Sequence, residues 1–449
     1  MLNETASSVE DRPYSRPTPR HPPPGGVPPR LSDELRQMVM SVLTIDHESA
    51  LGDDAEAAQR ARRLGIPTGE PRVLGIFEGH LTLDSEAAYA KIDNLLATIN
   101  ALPLFREIDD KQVVIVLQGR VQVQPRSPWL NIALFVATLL SVLLLGYEMA
   151  VSEIATIDIA QARDIIDRGL IEIWRGFPYA ISILLILGAH ELGHYFAARH
   201  HKLAVTLPYF IPAPFISAIG TFGAFIQLRE PMRNRKVLLD VGAAGPLMGL
   251  IFAVPILLIG LATSQVDVIR AGTLEGNSLL YALAKVLTFG RFLPDGQVDV
   301  YVNQLAWAGW TGLLVTGLNL IPIGQLDGGH ILYSLIGDRA RILYYPILIG
   351  MVALVLVTNA WFFWLILLFL FGRVYATPLD MITRLDARRK IVGIVGLIVF
   401  AVTFVPLPFS DALAASAPVL PPGDSVFGGL ALLPLAVGLV VWWTGRRRH

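Results

Sequence analysis

The stretch FPYAISILLILGAHELGHYFAAR, residues 177–199, decides what kind of protein this chain is. It is long and apolar enough to cross a bilayer as a helix, for which about 20 residues suffice. It nevertheless contains His190, Glu191 and His194. Ionisable groups in such a span are costly unless they are paired or coordinated, which makes these three residues functional candidates. The alternative is that hydrogen bonds between helices satisfy the two histidines.

Helical spacing brings the two imidazoles together. Residues four apart on an α-helix differ by about 6 Å of rise and about 40° of rotation, so His190 and His194 can bind one Zn²⁺. Glu191 is rotated by about 100° from His190, which makes it a poor third ligand. It is close enough to take a proton from a water bound to the metal, as a general base does.

A later motif supplies a candidate for the third ligand that catalytic zinc usually has. In NLIPIGQLDGGH, residues 319–330, Pro322 and a glycine pair interrupt the helix where Asp327 can turn inward. The alternative is Asp240 at the start of the preceding apolar span, where a carboxylate suits the positive end of the helix dipole. The chain has no cysteine, so every ligand must be His, Asp or Glu.

Composition excludes an ordinary soluble enzyme. Of the 449 residues, 53% are hydrophobic and 16% are charged, whereas soluble proteins have about 25% charged residues. Lysine and arginine number 36 against 37 acidic residues, which gives no support for a nucleic-acid partner. The absence of cysteine also excludes disulfides and thiolate nucleophiles. A membrane protein with a metal site is the class that remains.

The polar part of the chain comes first. Residues 1–30 are rich in proline and poor in apolar residues, so we expect a disordered tail that is not a secretory signal peptide. Residues 31–128 have the pattern of a small cytoplasmic α+β domain. Its expected helices lie near 31–43, 54–64 and 84–100, and its expected strands at 72–81 and 111–123.

Residues 129–449 form the expected membrane domain. Lysine and arginine are concentrated in alternate connecting segments, which predicts that both termini lie in the cytoplasm. The predicted fold class is a polytopic α-helical membrane protein of about eight transmembrane helices, with a small N-terminal α+β soluble domain. The spans are expected near 129–147, 177–199, 237–262, 305–323, 342–358, 361–376, 391–408 and 425–444.

The segment 203–228, LAVTLPYFIPAPFISAIGTFGAFIQL, is apolar but contains three prolines and two glycines, which do not support a straight helix. Non-helical backbone at membrane depth must be covered by protein or line a wet cavity. We therefore expect a re-entrant β-hairpin beside a functional cavity. The alternative is a loop that lies on the membrane surface.

Together these motifs resemble those of the site-2 proteases, a family of intramembrane zinc metalloproteases. The family pairs HExxH on one transmembrane helix with NxxPxxxxDG on a later one, and here they occupy 190–194 and 319–328. Its glycine-rich central motif is matched by AGPLMG at 244–249. The three motifs cover about 177–337, which would be the three-helix protease core.

The resemblance implies a role for each matched residue. His190, His194 and Asp327 resemble the ligands of one Zn²⁺ per chain, and Glu191 resembles the catalytic base. Asn319 is expected to hydrogen-bond the substrate carbonyl or oxyanion. The family's membrane-embedded hairpin corresponds to 203–228, in which a strand at 220–227 would pair with an unwound substrate. The hairpin residues expected to bind substrate are Gly220, Thr221, Phe222, Gly223 and Gln227.

A subgroup is also similar, namely the plant chloroplast ethylene-dependent gravitropism-deficient and yellow-green proteases and their bacterial relatives. Where those carry Gly-Asn-Leu-Arg, this chain has GHLT at 79–82. We expect an integral protein of a bacterial cell membrane, with both termini and the active-site opening on the cytoplasmic side.

The function expected from the sequence is that of a zinc metalloendopeptidase that cleaves transmembrane segments of other membrane proteins, as in regulated intramembrane proteolysis. Its partners would be a transmembrane substrate and the lipid bilayer, with no nucleic acid. The alternative is a pseudoprotease that binds transmembrane helices or metal without cleaving anything. The intact HExxH motif favours the enzyme.

Overall fold

A computed structural model of the chain describes residues 29–49, 73–108, 110–121, 127–269 and 272–412. Most of the expected proline-rich tail, the helix expected near 54–64 and the span expected at 425–444 lie outside these ranges. The described residues comprise a small α+β unit followed by a mostly helical part.

The α+β unit, called the N-domain below, is built on a four-stranded antiparallel sheet in the order β1-β2-β4-β3. Two of its strands were missed by the sequence analysis, β1 because it is polar and β3 because it contains Pro103. Proline is tolerated in β3 because this strand lies at the edge of the sheet. The elements are α1 (Pro29–Met40), β1 (Leu43–Ser49), β2 (Val73–Leu81), α2 (Ser85–Ala97), β3 (Ala101–Ile108) and β4 (Lys111–Gln118).

Ten helices follow in the part of the membrane domain that the structure describes. Three short 3₁₀ segments connect some of them, at Gly169–Gly176, Gly337–Leu343 and Asn359–Trp361. The helices are α3 (Trp129–Ile157), α4 (Ile159–Arg168), α5 (Phe177–His200), α6 (Arg235–Ala262), α7 (Leu279–Phe289), α8 (Gln304–Asn319), α9 (Asp327–Ile336), α10 (Tyr344–Val357), α11 (Phe362–Phe371) and α12 (Ala387–Thr403).

Four helical stretches among the described residues are long and apolar enough to cross a membrane. They are Trp129–Ile157, Ile159–His200, Arg235–Ala262 and Asp327–Val357. Three other expected spans correspond to α8, α11 and α12, which have 16, 10 and 17 residues and are too short to qualify by length alone. The membrane character of the chain is thus clear, while the total of eight spans stays a prediction.

Short strands complete the membrane domain. The segment 203–228 contains a hairpin of β5 (Tyr209–Pro212) and β6 (Thr221–Phe225). Asn131 of α3 donates hydrogen bonds to the carbonyls of Leu207 and Pro208 at 2.8 and 3.0 Å, which anchors the start of the hairpin. Beyond α6 lie β7 (Gln265–Val268), β8 (Gly272–Glu275), β9 (Val298–Tyr301) and β10 (Phe409–Ala412), paired as β7 with β9 and β8 with β10.

The N-domain is joined to one end of the helical bundle, which we call the N-domain side. The backbone of Leu379 accepts a hydrogen bond from the amide of Phe105 at 2.9 Å, and Met381 donates one to the Phe105 carbonyl at 3.0 Å, so this segment contacts the outer edge of β3 at Phe105. Lys236 at the start of α6 adds an ion pair with Glu86 at 2.6 Å. The start of α6 is thereby fixed to the N-domain.

The opposite end of α6 is covered by a small cap made of α7 and strands β7 to β9. Lys285 in this cap is fully buried, and its Nζ lies 3.0 Å from Asp299 Oδ1 and 3.2 Å from Glu275 Oε1. The Tyr281 hydroxyl donates a 2.7 Å hydrogen bond to the same Glu275 oxygen. Burial raises the pKa of Glu275, and the ammonium of Lys285 counteracts this rise. The cap therefore depends on one buried cluster in which the Lys285 ammonium pairs with two carboxylates.

Replacing Lys285 by methionine should destabilise the protein. The change leaves two buried carboxylates without their cation, which typically costs about 3–5 kcal/mol of unfolding free energy. Chemical denaturation in detergent would measure the change. The matched control is Arg291→Met, which removes an exposed pair with Asp295 and should cost less than about 1 kcal/mol. Equal stability of the two variants would contradict this account of the cap.

Candidate metal centre

The two histidines of α5 and the aspartate of α9 meet inside the helical bundle. Nε2 of His190 lies 3.2 Å from Nε2 of His194, and each of these nitrogens lies 3.3 Å from Oδ2 of Asp327. His190 and His194 are only 4% and 7% exposed. Among the described residues, these three form the group of His, Asp and Glu side chains able to hold a metal ion.

The spacing of these three atoms fits zinc. Ligand atoms about 2.0–2.1 Å from a tetrahedral zinc ion are separated by roughly 3.3 Å, the edge of the tetrahedron. Each observed separation lies close to this value. Two imidazoles and one carboxylate also leave a fourth position free for water or substrate, as in catalytic zinc sites. The donor set and its geometry thus suit one zinc ion.

Helix α6 holds the histidines in orientation. Nδ1 of His194 donates a 2.7 Å hydrogen bond to the Val241 carbonyl, which leaves the Nε2 lone pair for a metal. The helix is also bare of side chains where the imidazoles lie. A Cβ atom on Gly245 would be 2.0 Å from Nε2 of His194, and one on Gly249 would be 3.3 Å from Nδ1 of His190. The physical reason for glycine in the AGPLMG segment is therefore space for the two imidazoles.

Asp240, the alternative third ligand, lies in a different cluster. Its Oδ2 is 2.8 Å from Nε2 of His201 and 2.7 Å from Nη2 of Arg389. Arg389 at the start of α12 also pairs with Asp386 at 2.6 Å. These contacts join α5, α6 and α12, so Asp240 has a structural role in this arrangement, and Asp327 is the carboxylate beside the two histidines.

Glu191 and Asn319 complete the polar lining. The Glu191 side chain is buried beside the backbone of Ile226, and Nδ2 of Asn319 lies 3.4 Å from Nε2 of His190. Both residues border a cavity of about 300 Å³ that also contains the three metal-ligand candidates. A carboxylate and an amide thus face the same space as the free metal position.

The hairpin borders this cavity with other residues than those expected. Ala224, Phe225 and Ile226 line it, as does Leu228. Of the five expected residues, Thr221 is buried and donates a 2.7 Å hydrogen bond to the Ile211 carbonyl, and the Gly220 carbonyl accepts a bond from Ser141 of α3. The remaining three, Phe222, Gly223 and Gln227, are likewise absent from the cavity wall.

Sequence reasoning missed two further polar side chains on the cavity, those of Gln325 and His330. Both stand in the 319–330 motif, but a motif does not reveal which of its side chains face inward. For His330 a signal was present, because it follows Asp327 by three residues and three residues is nearly one helical turn.

Gly245→Ala should abolish metal binding, because the added methyl group would occupy the position of the His194 ring. Zinc content of the purified protein, measured by atomic spectroscopy, is expected to fall from about one per chain to a small fraction. The matched control is Gly188→Ala on α5, where the new Cβ would meet only Phe210 at an ordinary 3.9 Å. Full zinc content in Gly245→Ala would contradict the close packing described.

Comparison with known proteins places this site in a family. Residues 178–357 match Peptidase family M50. The chain is 34% identical over 241 residues to "Probable zinc metalloprotease EGY2, chloroplastic" of Arabidopsis thaliana, which covers 52% of this chain and 42% of that protein. It is 30% identical over 363 residues to the protein of the same name in Oryza sativa subsp. indica, which covers 77% of this chain and 64% of that protein.

A third relative, "Probable zinc metalloprotease EGY1, chloroplastic" of Arabidopsis thaliana, is 34% identical over 173 residues, 37% of this chain and 31% of that protein. The chain thus spans less than two thirds of the length of these relatives. No solved structure matches. The family predicted from the three motifs is confirmed: the chain carries a peptidase family M50 domain, the domain of the site-2 proteases, and is homologous to the plant EGY zinc metalloproteases.

Proposed function

We propose that this protein is an intramembrane zinc metalloendopeptidase that cleaves transmembrane segments of other membrane proteins. The observation that carries the proposal is the convergence of His190, His194 and Asp327 beside Glu191, in a cavity formed by long apolar helices. A structural histidine cluster would not need a free carboxylate and a cavity beside it. Peptide hydrolysis needs both.

The metal ligands in this proposal are His190, His194 and Asp327, which hold one Zn²⁺ per chain. When bound, the zinc ion supplies a Lewis acid that polarises the scissile carbonyl and makes water a better nucleophile near neutral pH. The residues of the chain supply the rest of the chemistry. Glu191 takes the proton from the attacking water and gives it to the leaving amine.

Asn319 orients the substrate in this scheme. Its side-chain amide points toward the ligand nitrogens, so it can donate a hydrogen bond to the carbonyl oxygen that accumulates negative charge. A preorganised donor of this kind lowers the barrier because it needs no rearrangement during the reaction. Asn319 therefore assists the reaction without taking or giving a proton.

The substrate must be locally extended to reach this centre. Amides in a helix are hydrogen-bonded within the helix, and its side chains shield the backbone from attack. An unwound segment recovers these bonds by pairing with a strand edge. We assign this role to the backbone from Ala224 to Ile226, which lies on the cavity, in place of the hairpin residues expected from the sequence.

The orientation of the protein follows the distribution of lysine and arginine, so we infer that the N-domain side faces the cytoplasm. Met232, which lines the second cavity described below, accepts a hydrogen bond from Leu379 of the segment that joins the N-domain. The membrane location itself rests on the M50 domain and on the four long apolar helices.

Glu191→Gln should retain zinc and lose activity. The amide keeps the shape of the side chain but cannot accept the proton, a function worth about 10²–10⁴ in rate. Cleavage of membrane substrates in vesicles and zinc content would be measured together. Glu153→Gln, a neutralisation at an exposed position of α3, is the matched control and should cleave normally. Cleavage by Glu191→Gln at the wild-type rate would contradict the mechanism.

Zinc stoichiometry separates the protease from a non-proteolytic binder. His190→Ala and Asp327→Ala should each lose the bound zinc, whereas Asp240→Ala should keep it, because Asp240 lies with His201 and Arg389. Purified wild-type protein without zinc would favour a helix-binding role. Zinc loss in Asp240→Ala together with zinc retention in Asp327→Ala would overturn the ligand assignment.

The Glu191→Gln variant can also identify substrates. Cells that express Glu191→Gln in place of the wild type should accumulate the uncleaved membrane proteins, which quantitative membrane proteomics would identify. Accumulation of the same proteins with Glu153→Gln would show that the effect is unrelated to catalysis.

A further inference from the structure

His330 occupies a junction that the proposed mechanism leaves unexplained. It lies on α9 three residues after Asp327, so the two side chains share a helix face. It borders the cavity of the metal centre, and it also borders a second cavity of about 420 Å³. The second cavity extends toward the N-domain side, where Met232 and Thr377 line it.

The imidazole of His330 lacks a hydrogen-bond partner within the described ranges, although its side chain is half-buried. Polar groups in such surroundings normally bond to protein or to water. The backbone nearby is also closely fitted to this side chain, because a Cβ atom on Gly242 of α6 would be 2.8 Å from Cβ of His330. The fold thus places a polar ring where it can hydrogen-bond a group that enters either cavity.

One chain segment forms a wall of both cavities. Residues 224–226 and 228 line the cavity of the metal centre, and residues 228–232 line the second cavity. A substrate strand that pairs with 224–226 and continues in the same direction enters the second cavity. On its way it passes His330, which both cavities share with Leu228 and Gln325.

We propose that His330 is a positioning residue that hydrogen-bonds the backbone of the extended substrate on the N-domain side of the scissile bond. The ligand is a peptide main chain, whose N–H and C=O groups both suit an imidazole, which can donate from one nitrogen and accept at the other. The hairpin holds one edge of the substrate strand and His330 holds the other. This inference rests on the proposed protease function.

Binding to an inactive protein tests the inference without turnover. Fluorescent single-span peptides would carry an Asn-Pro helix break near one end of the span, followed by a tail of either one or eight residues. Their Kd for Glu191→Gln protein in detergent is compared with that for Glu191→Gln/His330→Phe. Phenylalanine fills a similar volume but forms no hydrogen bond, so the long-tailed peptide should bind about tenfold more weakly. The short-tailed peptide should bind equally to both proteins.

Two further variants make the test specific. In the same Glu191→Gln background, His330→Gln retains a donor and an acceptor and should bind the long-tailed peptide within about threefold of the parent. His200→Phe, the same change at an exposed histidine near the end of α5, should leave both affinities unchanged. All variants should contain the same zinc as the parent.

The inference is overturned if His330→Phe binds the long-tailed peptide as tightly as the parent, or weakens both peptides equally, or loses zinc as Asp327→Ala does. It is also overturned if none of the peptides binds to the parent. Wild-type protein incubated with the same peptides tests the proposed protease function independently of the role of His330. If it binds them without ever cleaving them, the protease function fails while the affinities still decide the role of His330.

Discussion

The structure depends on bringing three ionisable side chains together among apolar helices. Each of His190, His194 and Asp327 would be costly in such surroundings alone, and their donor atoms lie close enough to share one ion, which would offset that cost. For the three donor atoms to meet, α5 and α9 must pack against α6 more closely than larger side chains on α6 would permit. Glycines on α6 make this close packing possible. Gly242 lies against His330, and Gly245 and Gly249 lie against His194 and His190. Every other feature of the site follows from this contact.

Most residues of the candidate site could be predicted from the sequence because their signal is local. Residues four apart on a helix must face one side, so His190 and His194 follow from spacing alone, and the position of Glu191 follows with them. The choice of Asp327 over Asp240 needed a helix break at Pro322. Which hairpin residues reach the cavity was beyond the sequence, because the facing of a short strand depends on how it docks. In the structure Ser141 of α3 bonds the Gly220 carbonyl, and the cavity is lined by Ala224, Phe225 and Ile226.

Long-range contacts explain what else the sequence did not show. The region 265–304 looked like a connecting segment, but it contains a folded cap around Lys285, Glu275 and Asp299. No short-range spacing links these residues, and each alone resembles an ordinary surface charge. The contact between the N-domain and Leu379–Met381 could not be predicted either. A strand edge binds its partner through backbone hydrogen bonds, so the pairing is not visible in the pattern of side chains.

The proposed hydrolysis in a helical bundle also requires a polar route to the candidate zinc ligands. The two cavities supply one, since they share Leu228, Gln325 and His330 and together extend from Glu191 to the N-domain side. Around the metal-ligand candidates, His190, Glu191, His194, Asn319, Asp327 and His330 are fixed to α5, α8 and α9, and Ala224, Phe225 and Ile226 of the hairpin segment line the same cavity. In the proposed function, the side chains that act on the scissile bond therefore come from closely packed helices, and the surface that accepts an extended peptide comes from the hairpin segment. This division lets one cavity combine a rigid metal centre with a binding edge that accepts main chain of varied sequence.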